Sequence, residues 1–342
     1  MYTKLKNLIQ TLLPTSYFKR FPRSLLNCIY FLEGTYPLWR AQRKLEASSI
    51  SASTFTEKVR YKMAYDRNPL LTRVSDKVEV REYVKNLVGE EFLVDIYGVI
   101  EKGNVENFDS SILPKNFVLK ASHGSGGVMI VTDSENYQSD PTGMALNGWR
   151  RKVIRSEFFE WEAVKPILNN WLSLNYFYSP GKLPEWCYKN VSPRILIESL
   201  LEGSAGRVPE DYKFYMFDGK CSMIQLDIDR FGKHTIDLFT PNWERFNVGW
   251  NFPNPEVFWP APKQLSEMLR VAESLSNGFD FIRVDLYITT EGIKFGELTN
   301  YPDAGETPFD PSDFDLWLGS KWQMTDYKLV SQQQTDRNRS SF

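Results

Sequence analysis

The stretch from Phe281 to Ile288 alternates: Ile282, Val284, Leu286 and Ile288 take one face, Arg283 and Asp285 the other, the period of a half-buried strand. Thr290-Glu291-Gly292 predicts a turn, and residues 293–299 a returning strand. A turn centred near Glu291 sets Asp285 opposite Glu297 and Arg283 opposite Thr299. Upstream, 117–120 is a short apolar strand ending in Lys120, followed by a glycine-rich loop over 122–127 and a second strand over 128–131. Strands are also predicted at 194–201, 212–217 and 221–229, the last two joined by Asp218-Gly219, a strong hairpin signal.

Helical spacing runs through 56–65, 78–88 and the set Leu265, Met268, Leu269, Ala272 and Leu275, with Gly278 placed to end that helix. The stretch 141–190 is Trp-rich and partly helical, with Pro166 suited to a first helical position. At the N-terminus, Leu5, Leu8, Ile9, Leu12 and Leu13 mark an amphipathic helix. This order of helices, strand–loop–strand, hairpins, helix and final hairpin predicts an α+β fold with antiparallel sheets rather than a doubly wound parallel one.

Composition narrows the class. With 342 residues, 42% of them apolar, the chain buries a sizeable core and exceeds one small domain. A net charge of −2 supplies no global positive field, so no nucleic-acid partner is expected. Ten Trp and 15% aromatics suit a large aromatic core or a carbohydrate-facing surface. Cys28, Cys187 and Cys221 lie far apart and form neither a metal spacing nor a disulfide framework, so a reducing cytoplasm is the expected location. With His123 and His234 as the only histidines, a histidine-built zinc site is excluded. No run of about 18 uncharged apolar residues predicts a membrane-spanning helix, and a signal-peptide pattern is missing. Residues 1–45 carry eight Lys/Arg against a single acidic residue, Glu33. That suits peripheral contact with the inner, anionic face of a membrane, or a helix docked on its own domain with a solvated basic face. The tail from Ser331 is polar and expected to be disordered.

The hairpin suggests chemistry. Two carboxylates facing each other on a sheet cost roughly 0.2–1 kcal/mol, which Mg²⁺ with substrate phosphates would relieve. Separate surface residues, with Arg283 neutralising one of them, are the plainer alternative. In Lys120–Gly127, Gly124, Gly126 and Gly127 free backbone N–H groups to face an anion and Lys120 adds a point charge. The same pattern also suits a flexible hairpin loop; it is neither a Walker A loop nor a dinucleotide fingerprint. Along 194–203, backbone groups suit an adenine edge and a glutamate suits ribose hydroxyls, unless Glu198 and Glu202 simply face water. Lys213 is a second candidate phosphate ligand. Asp227-Ile228-Asp229 is a D-x-D whose alternation puts both aspartates on one face, as a metal-dependent glycosyltransferase would need for a nucleotide-sugar.

In this order, strand-lysine, glycine loop, glutamate-bearing strand, basic hairpin, RVD and a C-terminal carboxylate hairpin resemble the ATP-grasp superfamily. The segments IESLL, EDYKFYMFDGK, FIRVDLY and FGELTNYPDAG resemble its TupA-like branch, associated with bacterial surface-polysaccharide synthesis. The resemblance spans roughly 55–320. It implies two α+β subdomains gripping ATP between antiparallel sheets (116–325), preceded by a pre-ATP-grasp region (51–115) and the basic segment (1–50), with a tail over 326–342.

Carried over residue by residue, Lys120 would bind the α/β-phosphates, and Ser122, His123, Gly124, Ser125, Gly126 and Gly127 would close over them. Glu198, Ser199, Leu200 and Leu201 would line adenine, with Glu202 toward the ribose. Arg283 would stabilise the transferring group, and Asp285 and Glu297 would hold Mg²⁺. The sequence departs from the Glu-x-Asn pattern at Thr299, followed by Asn300, so the third ligand is Thr299 or Asn300. Asp76-Lys77 would correspond to the earlier lysine of relatives. The implied activity is an ATP-dependent ligase joining a carboxylate to an amine through an acyl phosphate, with ATP and Mg²⁺ as cofactors. A glycosyltransferase centred on Asp227 and Asp229, or a nucleotide-sensing scaffold, are the alternatives.

Overall fold

The computed structural model describes residues 52–137, 149, 151–179, 182–203 and 208–327. The expected N-terminal helix and the tail from Ser331 lie outside the described residues. Three helices come first: α1 (Phe55–Tyr65), α2 (Pro69–Ser75) and α3 (Glu79–Val88). Thr54 caps α1 by accepting from Glu57 N while the Glu57 carboxylate reaches back to the Thr54 backbone, so two otherwise orphaned donors are satisfied. Pro69 opens α2 behind the Asn68 cap, where the missing N–H costs nothing.

The first sheet has the order β1 (Ile96–Glu101), β5 (Arg194–Ser199), β2 (Phe117–Ala121), β3 (Val128–Thr132), β4 (Arg151–Arg155). Its β3–β4 pair is parallel, so this sheet is mixed, while its other three pairs are antiparallel as expected. Residues 133–150 supply the long connection that a parallel pair needs. One face of the sheet (Phe117, Leu119, Met129, Val131, Ile195, Ile197) packs on α4 (Trp161–Ser173). Pro166 stands inside α4, not at its first position. Val164, Ile167, Leu168, Trp171 and Leu172 bury one continuous stripe, and that burial outweighs the one hydrogen bond that proline removes.

The second sheet, order β11 (Gly292–Thr299), β10 (Phe281–Thr289), β6 (Asp211–Phe217), β7 (Lys220–Ile228), β8 (Thr235–Phe239), is antiparallel throughout. Asp218 and Gly219 both take positive φ, 47° and 77°, as a tight hairpin turn requires. Helix α5 (Leu265–Ser276) covers the back of β6, β7 and β10, and Phe55, Phe217, Phe281 and Trp322 fill the core behind them. A short pair, β9 (Gly249–Trp250) with β12 (Phe309–Asp310), and helix α6 (Asp313–Ser320) complete the layer.

The last hairpin pairs Asp285 with Glu297 and Arg283 with Thr299. The route to that register differs from the expected one. The turn holds Thr290 and Glu291 between the paired Thr289 and Gly292, and Gly296 is inserted as a bulge between the Leu286–Phe295 and Asp285–Glu297 pairs. Without the extra residue every side chain beyond it would change face. Glycine is required there because a Cβ would lie 2.7 Å from the Tyr287 ring.

Candidate functional site

The two sheets face each other across a cleft of about 610 Å³, lined by residues of both, within the range of small-molecule sites. On its floor the Arg283 guanidinium donates Nε to Asp285 Oδ1 and NH2 to Asp285 Oδ2, both at 2.6 Å. The same NH2 reaches Glu297 Oε1 at 3.1 Å and Thr299 Oγ1 at 2.9 Å. Thr299 in turn donates to Glu297 Oε1 at 2.9 Å. Arg283 and Asp285 are buried, whereas the Glu297 side chain is 45% exposed to the cleft. Burial opposes the charge of Glu297, but Lys77, Arg283 and Lys213 outweigh it and hold its pKa at about 2. For Arg283 burial is likewise outweighed, by Asp285 above all, and its pKa rises well above the usual value.

Alternation on β6 and β7 aims a second charged group at the same floor. Lys213 pairs with Asp211 and lies 3.5 Å from Asp227 Oδ2 and 3.4 Å from Asp285 Oδ2. Arg230 approaches from beyond β7, at 2.5 Å from Asp211, and His234 lies 3.6 Å from Asp227. Burial opposes ionisation of Asp227, yet Lys213, His234 and Arg230 hold its carboxyl below the ordinary range. Behind them Tyr215 donates to Gln225 at 2.8 Å, and Gln225 to Asp227 at 2.6 Å, so this row of polar side chains is fixed.

The opposite wall is the second face of the first sheet. Val118, Ile130 and Val153 join Tyr137, Leu200, Val208 and Phe231 in an apolar surface, in which Lys120 and the buried Glu198 form the ion pair. Ser199 N is taken up by Asp95 O at 2.9 Å, and Leu201 O accepts from Tyr137 at 3.4 Å. Lys77, between α2 and α3, donates to Gly124 O at 2.8 Å and lines the cleft with Lys120. Burial keeps its pKa below the usual lysine value, despite Glu297.

Several predicted residues stand elsewhere. Ser122 and His123 turn away from the cleft: Ser122 donates to Ser192 O at 3.3 Å, and His123 Nε2 lies 2.9 Å from Trp171 O. Of the glycine loop, Ser125 and Gly126 line the cleft. Gly126 takes φ 89°, while a Cβ on Gly124 or Gly127 would come within 2.9–3.0 Å of Trp149; two of the glycines thus make room for an indole ring. Glu202 is exposed outside the cleft lining. Lys213 sits in a cage of carboxylates rather than free. Asn300 points the other way, donating to Leu71 O at 3.2 Å and Ser75 Oγ at 2.9 Å, which leaves Thr299 in the cleft.

The D-x-D reading fails on geometry. Strand β7 ends at Ile228, and Asp229 takes φ 51° and accepts from Lys233 N at 2.7 Å. It closes a turn, so the two aspartates do not share a strand face.

Sequence reasoning missed Asp211, Arg230, Arg151 and Glu185, all in the cleft lining. Alternation of Asp211 with Lys213 was a usable signal. Glu185, in an irregular stretch, gave none.

The donor set suits a hard divalent cation: two carboxylates and a hydroxyl converge, all oxygen, and Mg²⁺ commonly takes one or two carboxylates with substrate phosphates. Among the described residues no group of three or more His, Cys, Asp or Glu side chains converges as a metal site, so phosphate and water oxygens would complete the shell at Asp285 and Glu297.

An α+β fold with one mixed and one antiparallel sheet, closing on a cleft lined by lysines and an Arg–Asp–Glu hairpin, defines an ATP-grasp protein. The family model of the TupA-like ATP-grasp proteins matches residues 57–323. The chain belongs to that family. No curated protein matches it. Among solved structures it is similar to a D-alanine–D-alanine ligase from Bacillus anthracis complexed with ATP (14% identity over 68% of this chain and 56% of that one, TM-score 0.36). It is also similar to the D-alanine–D-alanine ligase of Helicobacter pylori (13%, 73% and 61%, TM-score 0.37), and to a phosphoribosylamine–glycine ligase from Thermotoga maritima (12%, 69% and 49%, TM-score 0.38). The chain spans about half to three-fifths of the length of these structures.

Proposed function

We propose that this protein is an ATP-dependent carboxylate–amine ligase acting through an acyl phosphate, with ATP and Mg²⁺ as cofactors, in the synthesis of a bacterial surface polysaccharide. The observation that carries the reading is the meeting, in one cleft, of Lys77 and Lys120 from one side with Arg283, Asp285 and Glu297 from the other. Lys120 and Lys77 bind and orient the polyphosphate as point charges. The apolar wall of Val118, Ile130 and Leu200 receives the base and excludes water from it. Arg283, held bidentate by Asp285, keeps a fixed positive charge where negative charge grows on the transferring phosphoryl group, the kind of preorganisation that accelerates most. Bound at Asp285 and Glu297, Mg²⁺ would neutralise phosphate charge and polarise the phosphoryl oxygens.

The carboxylate follows from family analogy as a uronic-acid type sugar, the amine as an amino acid or amino sugar, and the cytoplasm as the place of action. Residues 1–45 are the candidate for peripheral membrane contact. Mg²⁺·ATP near 100 times Kd should stabilise the protein by about 2.7 kcal/mol, read as a rise in Tm. A carboxylate and an amine together should then give ADP release. No shift with Mg²⁺·ATP, or a shift confined to nucleotide-sugars with Mn²⁺, would overturn the reading.

A further inference from the structure

Beside the Arg283 hairpin, the stretch after α4 and the loop after β11 meet in the same cleft. Tyr176, Lys182, Glu185 and Tyr188 come from the first, Tyr301, Asp303 and Glu306 from the second. Charge separates this end from the phosphate end. Lys77, Lys120, Lys213 and Arg283 serve the latter, whereas here three carboxylates face one lysine. That lysine, Lys182, is already spent on Tyr176, donating to its hydroxyl at 2.9 Å with Nζ 4.3 Å from the ring centroid.

A second observation is independent of the carboxylates. Tyr301 is 2% exposed and lines the cleft, yet its hydroxyl has no hydrogen-bond partner. A buried hydroxyl left unpaired is costly, and a bound donor would relieve that cost. The loop itself is held in an uncommon form, with Asp303 and Ala304 both at positive φ, 48° and 50°, a strain found chiefly where a loop positions a ligand.

We propose that Glu185, Asp303 and Tyr301 form the subsite for the ammonium group of the amine co-substrate, next to Arg283; this rests on the ligase reading above. Glu185 and Asp303 supply the charge, Tyr301 an acceptor oxygen, and Glu306 the acidic rim. In the joining step the ammonium gives one proton to Glu185, and the freed nitrogen lone pair attacks the acyl-phosphate carbon. The C–N bond forms, the C–O bond to phosphorus breaks, and phosphate leaves on the Arg283 side with the second nitrogen proton. Burial pushes the Glu185 carboxyl up to about 8, with Lys182 opposing, and the bound ammonium cation would favour its ionised form, the form that takes the proton.

The test separates the two half-reactions on the full chain with Mg²⁺·ATP. Carboxylates (D-glucuronate, D-galacturonate, succinate) are scanned for amine-independent scrambling of the ATP β,γ-bridge oxygen. Amines (ammonium, glycine, L-glutamate, D-glucosamine) are then scanned for ADP release. Glu185→Gln should raise the KM for the amine about 10- to 100-fold and lower the amine-dependent kcat as well, with far less effect on scrambling and on the KM for ATP, and Glu185→Asp should recover part of both losses. Asp303→Asn, at an exposed position, should act in the same direction without a folding defect. Wild-type protein that scrambles with no carboxylate sinks the ligase reading itself. Scrambling with an amine KM unmoved in both variants, with ADP release equally affected at all amine concentrations, or with no amine raising ADP release overturns the subsite alone.

Discussion

The two walls of the cleft are built from similar five-stranded sheets and present opposite chemistry. The first sheet turns an apolar surface to the cleft, in which Lys120 and Glu198 are a single ion pair. The second turns a field of buried charge: Asp211, Lys213, Asp227, Arg283 and Asp285 on three adjacent strands, with Glu297 on a fourth. A wall of valine and isoleucine with Lys120 and, at its β4 edge, Arg151 as its cations suits a flat base and its phosphates. Charges interlocked across four strands hold a geometry and do not adapt to what arrives. Under the proposed ligase reading the contrast would put binding on the first sheet and chemistry on the second, and it is open to direct attack.

The largest effect is expected at Glu297. Glu297→Ala removes a group open to the cleft, so the protein should fold, while Mg²⁺·ATP-dependent turnover should fall by at least about 10³-fold, comparable with the loss of a preorganised charge-stabilising group. Steady-state ADP release measures it. Wild-type activity in that variant would remove Glu297 from the metal site and leave Asp285 as the buried partner of Arg283. Next come the lysines, which the two sheets should treat differently. Lys213→Met removes the cation shared by Asp211, Asp227 and Asp285, while Arg230 and Arg283 stay with them, so the loss should lie at the low end of the about 3–5 kcal/mol that breaking a buried pair costs, read as a drop in the denaturation midpoint. Lys120→Met strands only Glu198, at a more open position, so the loss should be nearer 1–3 kcal/mol, and Glu198→Gln in the same chain should restore it while ATP affinity stays low. Equal destabilisation by the two lysine changes would break the contrast.

Gly296→Ala is a smaller blow to the second sheet. A methyl group there meets the Tyr287 ring, and overpacking of this kind costs about 1–3 kcal/mol. Because the bulge sets which face Glu297 takes, ATP-dependent stabilisation should fall further than stability. Tyr287→Leu in the Gly296→Ala background should restore stability first.

The second sheet was legible at β6, β7, β10 and β11, through the alternation of β10 and the turns at Asp218-Gly219 and before Gly292, and the pairing of Asp285 with Glu297 could be drawn from spacing; the short β8 was not foreseen. Even so, the turn sits half a residue from its expected centre and the Gly296 bulge makes up the difference, a compensation that no periodicity reveals. The first sheet was legible only at β2, β3 and β5. Strand β4, RKVIR, has two adjacent apolar residues and no alternation, and its parallel pairing depends on partners distant in sequence. Ser122 and His123 looked like ligands by their place in a glycine-rich loop, but Trp149 and Trp171 draw that side of the loop inward. The acidic end of the cleft, with Glu185, arises where two irregular segments meet, and local pattern carries no signal for such a meeting.

The last predicted effect concerns that end, and its sign can be worked out. A carboxyl whose folded pKa lies above its unfolded value of about 4.3 binds its proton more tightly in the folded protein. Its contribution to stability is therefore full below pH 4 and is lost progressively as pH rises through about 8. Glu297 has the opposite sign: its folded pKa of about 2 makes a contribution that is present above the unfolded value and lost as pH falls through 2. Lys182, Tyr176, Glu297 and Asp303 face Glu185, and none of them is removed by Glu185→Gln. The variant should thus lose the decline in Tm expected of the wild type between about pH 4 and 8, and become the more stable of the two at the alkaline end. Parallel curves across that range would mean that Glu185 ionises as an ordinary surface carboxylate. The acidic end of the cleft would then lose its proton acceptor, and only the second sheet would remain as the seat of chemistry.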